Sequence, residues 1–173
     1  STFTHIVEGE DCTSGGTNTA DTDSSSGHYL SFPVSGSGTG MLFALPSGVT
    51  AGGGGRTFRL LARLLVNPTA PVYVTPMIKD ANGLVPLATG IEVKIETSGY
   101  LLIDLGALAI PPGAVDATSL DNLTLYLALR CDTSATLALD YLQLTPTESL
   151  RHLYQLGYSI ADSDYVEDDG SLG

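Results

Sequence analysis

Two runs of alternating residues, 123–131 (LTLYLALRC) and 136–144 (TLALDYLQL), constrain this chain more than any other feature. A period of two marks a strand with two distinct faces. Asp132-Thr133-Ser134-Ala135 between the runs has turn composition, so the pair reads as a β-hairpin. With Cys131 facing Thr136, one face sets Leu123, Leu125, Leu127 and Leu129 against Leu144, Leu142, Asp140 and Ala138. The other sets Tyr126, Ala128 and Arg130 against Tyr141, Leu139 and Leu137. Asp140 then lies among leucines. A desolvated, unpaired carboxylate costs several kcal/mol, so it must be protonated, hydrogen-bonded, salt-bridged or bound to a metal.

The same short-strand pattern runs through most of the chain. Residues 3–10 (FTHIVEGE) read as a first strand, followed over 11–27 by a polar stretch without periodicity that reads as a long loop. Residues 28–34 and 40–45 read as two strands separated by a Gly/Ser turn, with Pro33 pushing the first toward an edge. The run 56–66 (RTFRLLARLLV) suits a helix or a strand, and the neighbouring glycines and Pro68 favour strand. Further strands follow at 71–79, 84–87, 91–96 and 100–105, with Asp80-Ala81-Asn82-Gly83 supplying turn chemistry. Roughly eight to ten strands at short spacing predict an all-β antiparallel sandwich, a jelly roll. It occupies 1–146, and 147–173 form an acidic arm or linker that begins with a short helix.

The chain has 173 residues, with 7 basic against 19 acidic side chains and a formal charge of −12. That balance argues against nucleic acid, whose phosphates need clustered Lys and Arg, and suits divalent cations. No apolar run reaches the length of a membrane span. Cys12 and Cys131 alone support neither a zinc site nor a disulfide scaffold. The glycines 52–55 lack the spaced Gly-Lys-Ser/Thr of a phosphate loop. His5, His28 and His152 are scattered and no Gly-x-Ser-x-Gly elbow occurs, so the reading is not an enzyme. Glu8 and Glu10, two apart at the end of the first strand, share a face. A hard cation such as Ca²⁺ would convert their repulsion into binding, with loop carbonyls completing the shell.

Five landmarks, in order, carry a resemblance: IVEGEDC at 6–12, SGHYLSF at 26–32, RTFRLLAR at 56–63, LLIDLGALAIPPG at 101–113 and LALDYLQLTP at 137–146. Together they resemble carbohydrate-binding modules of families 6 and 35, galactose-binding-like jelly rolls. The resemblance implies a structural calcium held by Glu8, Glu10 and Asp140, and glycan binding by exposed aromatics. This chain has no Trp; Tyr29, Tyr73, Tyr100 and Tyr126 are candidates to stack on a sugar, but tyrosines in strands are more often half-buried packing residues, and the resemblance assigns no sugar-contact residue here. The segment 145–173 resembles a connector in bacteriophage virion or tail proteins. It implies an extracellular or virion setting and, as an alternative function, a structural protein that uses the fold for packing contacts, with homo-oligomer or assembly partners reached through the arm.

Overall fold

Alternation becomes strand almost throughout the computed structural model, which describes residues 4–46, 57–67, 70–97, 99–110 and 123–147. The strands are β1 (His5–Glu8), β2 (Thr17–Ala20), β3 (His28–Ala44), β4 (Thr57–Asn67), β5 (Val72–Lys79), β6 (Pro86–Thr89), β7 (Val93–Ile95), β8 (Leu101–Ala109) and β9 (Thr124–Pro146), with a 3-10 turn at Gly9–Asp11. All pairings are antiparallel.

The expected hairpin does not form. Residues 124–146 are one strand, and β3 is likewise continuous across the expected Gly/Ser turn. The two strands run side by side from Leu30 opposite Leu139 to Ala44 opposite Thr124, with the register shifting around Gly36. They form a ribbon that passes from one layer of the sandwich to the other. At the crossing, Asp132, Thr133 and Ser134 are exposed opposite the exposed residues 35–38, and Gly36 and Gly38 adopt φ of 65° and 92°. A bend outside the core requires the same small, polar and glycine residues as a reversal, so composition could not tell them apart.

One layer has the order β2-β3-β9-β4-β8, with β1 also on β9. The other is built from the far halves of β3 and β9, with β5 beside β9 and β6 and β7 on the outer side of β5. Between them lie Phe32, Val34, Phe58, Leu60, Leu64, Leu142 and Leu144 from the first layer and Met41, Phe43, Val72, Val74, Ile78, Leu125 and Leu127 from the second, all buried. In β4 the buried residues alternate (Phe58, Leu60, Ala62, Leu64, Val66), which settles the helix-or-strand ambiguity as strand.

Three expectations change in detail. The first strand stops at Glu8, so Glu10 lies in the 3-10 turn and not on the same strand face. The stretch expected as one long loop contains β2, a polar edge strand (TNTA) that pairs only with β3 and needs no apolar face. Only Val93–Ile95 of the run at 91–96 is strand, and Ile91 is 83% exposed. The Asp80 turn forms as expected, its Oδ1 accepting from the N–H groups of Leu84 and Val85, with Gly83 at φ 70°. Cys12 and Cys131 are both free. The glycine run at 52–55, the short helix and acidic arm over 148–173, and the proline pair at 111–112 lie outside the described residues.

Candidate functional site

Asp140 is fully buried, but it does not share a face with the leucines. On β4, Arg63 pairs with Tyr141 and Leu64 with Leu139, so Asp140 is the extra residue of a β-bulge. The inward phase slips there, from Leu137 and Leu139 to Leu142 and Leu144. On its other edge β9 exchanges partners at the same point, with β1 opposite residues 141–144 and β3 opposite residues from 139 downward. The bulge therefore frees Asp140 from the ladder at a junction between two strands.

Its carboxylate is satisfied by salt bridge and hydrogen bond. Arg63 Nη1 lies 2.5 Å from Oδ2, and the Ser25 N–H donates to Oδ1 at 2.9 Å. The same Arg63 nitrogen donates to the Asp23 carbonyl at 3.0 Å, and the guanidinium carbon sits 4.4 Å from the centre of the Tyr100 ring. Tyr29 meets Tyr100 edge-on, with centroids 6.4 Å apart. Arg63 thus ties β4, β9, the loop before β3 and the approach to β8 together.

Glu8 and Glu10 are brought to the same loop. Ser25 Oγ donates to Glu8 at 2.8 Å, and Ser26 Oγ donates to Glu10 Oε2. Gly9 makes this approach feasible, because a Cβ at that position would overlap the Leu139 carbonyl of β9. Burial pushes the Glu8 carboxyl above its ordinary value, and the charges of Glu10, Asp140 and Asp11 push the same way against the Ser25 hydrogen bond. Glu10 Oε1 is buried with no hydrogen-bond partner. The donor set, three carboxylates with one orphaned oxygen and two serine hydroxyls, is the chemistry a hard cation takes. Among the described residues, however, no three His, Cys, Asp or Glu side chains converge as a metal-holding group. Serines bridge the glutamates to the loop, and the positive charge beside Asp140 is supplied by Arg63.

A second surface lies on the outer face of the other layer. Tyr73 and Tyr126 both point outward, Tyr73 opposite Arg130 and Tyr126 opposite Met77 in the β5–β9 pairing. The Arg130 guanidinium carbon lies 3.9 Å from the Tyr73 ring centre and is pinned by two bonds to Glu92 and one to Asp132, all at 3.1 Å. Tyr126 differs. Its phenol end rests on Gly40 of β3, where any Cβ would overlap the ring's hydroxyl end. Lys79 Nζ is 3.7 Å from its centroid. A pinned guanidinium holds its ring face, whereas a single ammonium on a flexible four-carbon stem can move off. The Tyr126 signal was absent from alternation alone, because it depends on a glycine in the neighbouring strand.

No protein-family model matches the chain, and no curated protein matches it. Solved structures share its fold, two of them as follows. The GH26-CBM35 β-(1,4)-mannanase of Podospora anserina superposes with a TM-score of 0.51 at 12% identity, over 84% of this chain and 28% of that one. The CBM22-1-GH10 modules of Clostridium thermocellum endo-1,4-β-D-xylanase 10B, solved with xylohexaose, superpose with a TM-score of 0.51 at 16% identity, over 83% of this chain and 27% of that one. The chain spans little more than a quarter of either protein, and its sandwich resembles that of a carbohydrate-binding module.

Proposed function

We propose that this chain is a non-catalytic carbohydrate-binding β-sandwich module stabilised by calcium. The fold likeness supports the class, and Tyr126, outward-facing with its phenol end resting on Gly40, carries the binding reading. A pyranose offers a face of C–H bonds that stacks on an aromatic face presented to solvent. Tyr126 is the stacking residue, Lys79 the neighbouring polar group that orients ring hydroxyls, and the pinned Tyr73–Arg130 pair the rim of the surface. Glycan-array binding by the wild type that Tyr126→Ala abolishes is the expected result. Undiminished binding by that variant would move the site elsewhere, and a glycan-blind wild type would end the reading.

Calcium would be held by Glu8, Glu10 and Asp140 with oxygens of the Ser24–Ser26 loop, and would neutralise a cluster whose Glu10 Oε1 has no donor. Its contribution is to stability, fastening β1 and the loop to β9. Chelation is expected to lower the melting temperature, and an unchanged melt would count against an exchangeable ion.

An alternative is favoured by one observation. Leu84, Val85, Leu87 and Ile91, at and beside edge strand β6, are 74%, 53%, 38% and 83% exposed. Such a strip on an edge strand suits packing against a neighbour in a virion or other extracellular assembly. Sedimentation of the wild type against Leu84→Glu tests it, since an assembly through this edge should dissociate in the variant.

A further inference from the structure

We propose that the apolar strip beside β6 is a docking surface for this chain's own residues 150–160 (LRHLYQLGYSI), which fold back over it within the same molecule. Leu84, Val85, Leu87 and Ile91 make up the strip, and all four are exposed. Single exposed apolar residues are ordinary, whereas a contiguous group at a sheet edge marks a surface that a partner covers. The strip is also held in shape. The Asp80 carboxylate accepts from the N–H groups of Leu84 and Val85, β6 pairs with Met77–Lys79, and the Gly90 N–H donates to the Pro76 carbonyl at 2.8 Å. Next to Ile91, Glu92 is gripped by two bonds from Arg130 of β9. An incoming segment therefore meets a surface that is already formed.

The place where β9 ends selects the occupant. The last described residue, Thr147, donates its hydroxyl to the Thr57 carbonyl at 3.1 Å. Thr57 pairs with Ala109 of β8, and a Cβ on Gly90 would lie 3.4 Å from Leu108, the neighbour of Ala109. The exit of β9 and the Gly90 end of the strip are thus separated by two strand spacings and one layer spacing, roughly 15 Å. Five residues, 148–152, span about 17 Å when extended, enough to carry Leu153, Tyr154, Leu156 and Tyr158 to the strip. Charge separates this segment from its surroundings. The chain has 19 acidic side chains, yet residues 150–160 carry none, and the carboxylates resume at Asp162. A second copy is the poorer occupant, because a formal charge of −12 on each molecule opposes their approach. A tethered segment needs no encounter and stands at an effective concentration on the order of millimolar.

The test is limited trypsin digestion of the full chain, read by mass at Arg151, the only Lys or Arg in 148–173. With the segment docked, that bond is cut only when the segment lifts away, so the cleavage rate reports the population of the lifted form. The double variant Leu84→Asp, Leu87→Asp changes the strip at exposed positions on which the fold does not depend, and Leu153→Ser, Leu156→Ser changes the segment. Each should be cut at Arg151 at least about tenfold faster than wild type, with an unchanged circular dichroism spectrum. In wild type, nuclear Overhauser contacts between the Ile91 methyls and the Tyr154 or Tyr158 ring should persist on dilution, and sedimentation should give a monomer. Equal cleavage rates in wild type and both variants, without those contacts, overturn the docking. A wild-type dimer whose protection at Arg151 fades on dilution overturns it too, and gives the strip to a second copy.

Discussion

Asp140 and Arg63 show how a single buried charge organises its surroundings. Removing one partner of such a pair leaves the other uncompensated, which costs about 3–5 kcal/mol in a fully buried site. Because Arg63 keeps partial access to water, Asp140→Ala in chelator is expected to lose about 3 kcal/mol in urea denaturation, the lower end of that range. Loss of under about 0.5 kcal/mol would mean that the pair is not formed in solution. Glu8 gives a pH signature. Its folded-state pKa lies above the ordinary 4.5, so the neutral form is the one the fold favours. Its contribution is present below 4.5 and is lost as pH rises through the raised value. In chelator, wild type should therefore lose stability relative to Glu8→Gln as pH rises above 4.5, and calcium should reverse that sign. The need for a partner at Asp140 was legible in the sequence, because a carboxylate in an alternating apolar run has few outcomes. The identity of the partner was not, since Arg63 lies 77 residues away and only strand pairing brings them together.

At the scale of elements, the β3–β9 ribbon fixes both layers, and its crossing is the least regular part of it. Gly38 holds a left-handed φ of 92° with open space where a Cβ would go, so strain alone opposes a side chain there. Gly38→Ala should destabilise by about 1 kcal/mol, with Asp132→Ala, on the exposed side of the same bend, close to neutral. Gly40 answers to a different constraint, because a Cβ would meet both Tyr126 and the Leu127 carbonyl. Gly40→Ala is expected to cost about 1–3 kcal/mol and to lift the ring, weakening glycan binding beyond what the lost stability explains. The strands themselves were readable from period-two alternation, as the buried series of β4 and β5 demonstrates. Their continuity was not. A bend and a reversal draw on the same residues, and the bulge at Asp140 shifts the alternation by one position without altering the composition.

The described residues form a two-layer sandwich with a carboxylate-rich junction at one point and an outward tyrosine surface on the opposite layer. In the proposal, the first bears on stability and the second on recognition, so each can be tested apart from the other. Chelation of the proposed ion should lower the melting temperature while leaving Tyr126 in place, because Tyr126 lies on the second layer, opposite Met77 and under Lys79. By mass action, ligand at about 100 times its dissociation constant adds about 2.7 kcal/mol, enough to read in a thermal melt. The most direct measurement is affinity electrophoresis of wild type and Tyr126→Ala through native gels cast with a panel of soluble plant, bacterial and animal polysaccharides. The wild type should be retarded by at least one of them, with Tyr126→Ala running at its unretarded mobility. Equal retardation of both proteins, or none of either in any gel, would contradict the claim that this face binds carbohydrate.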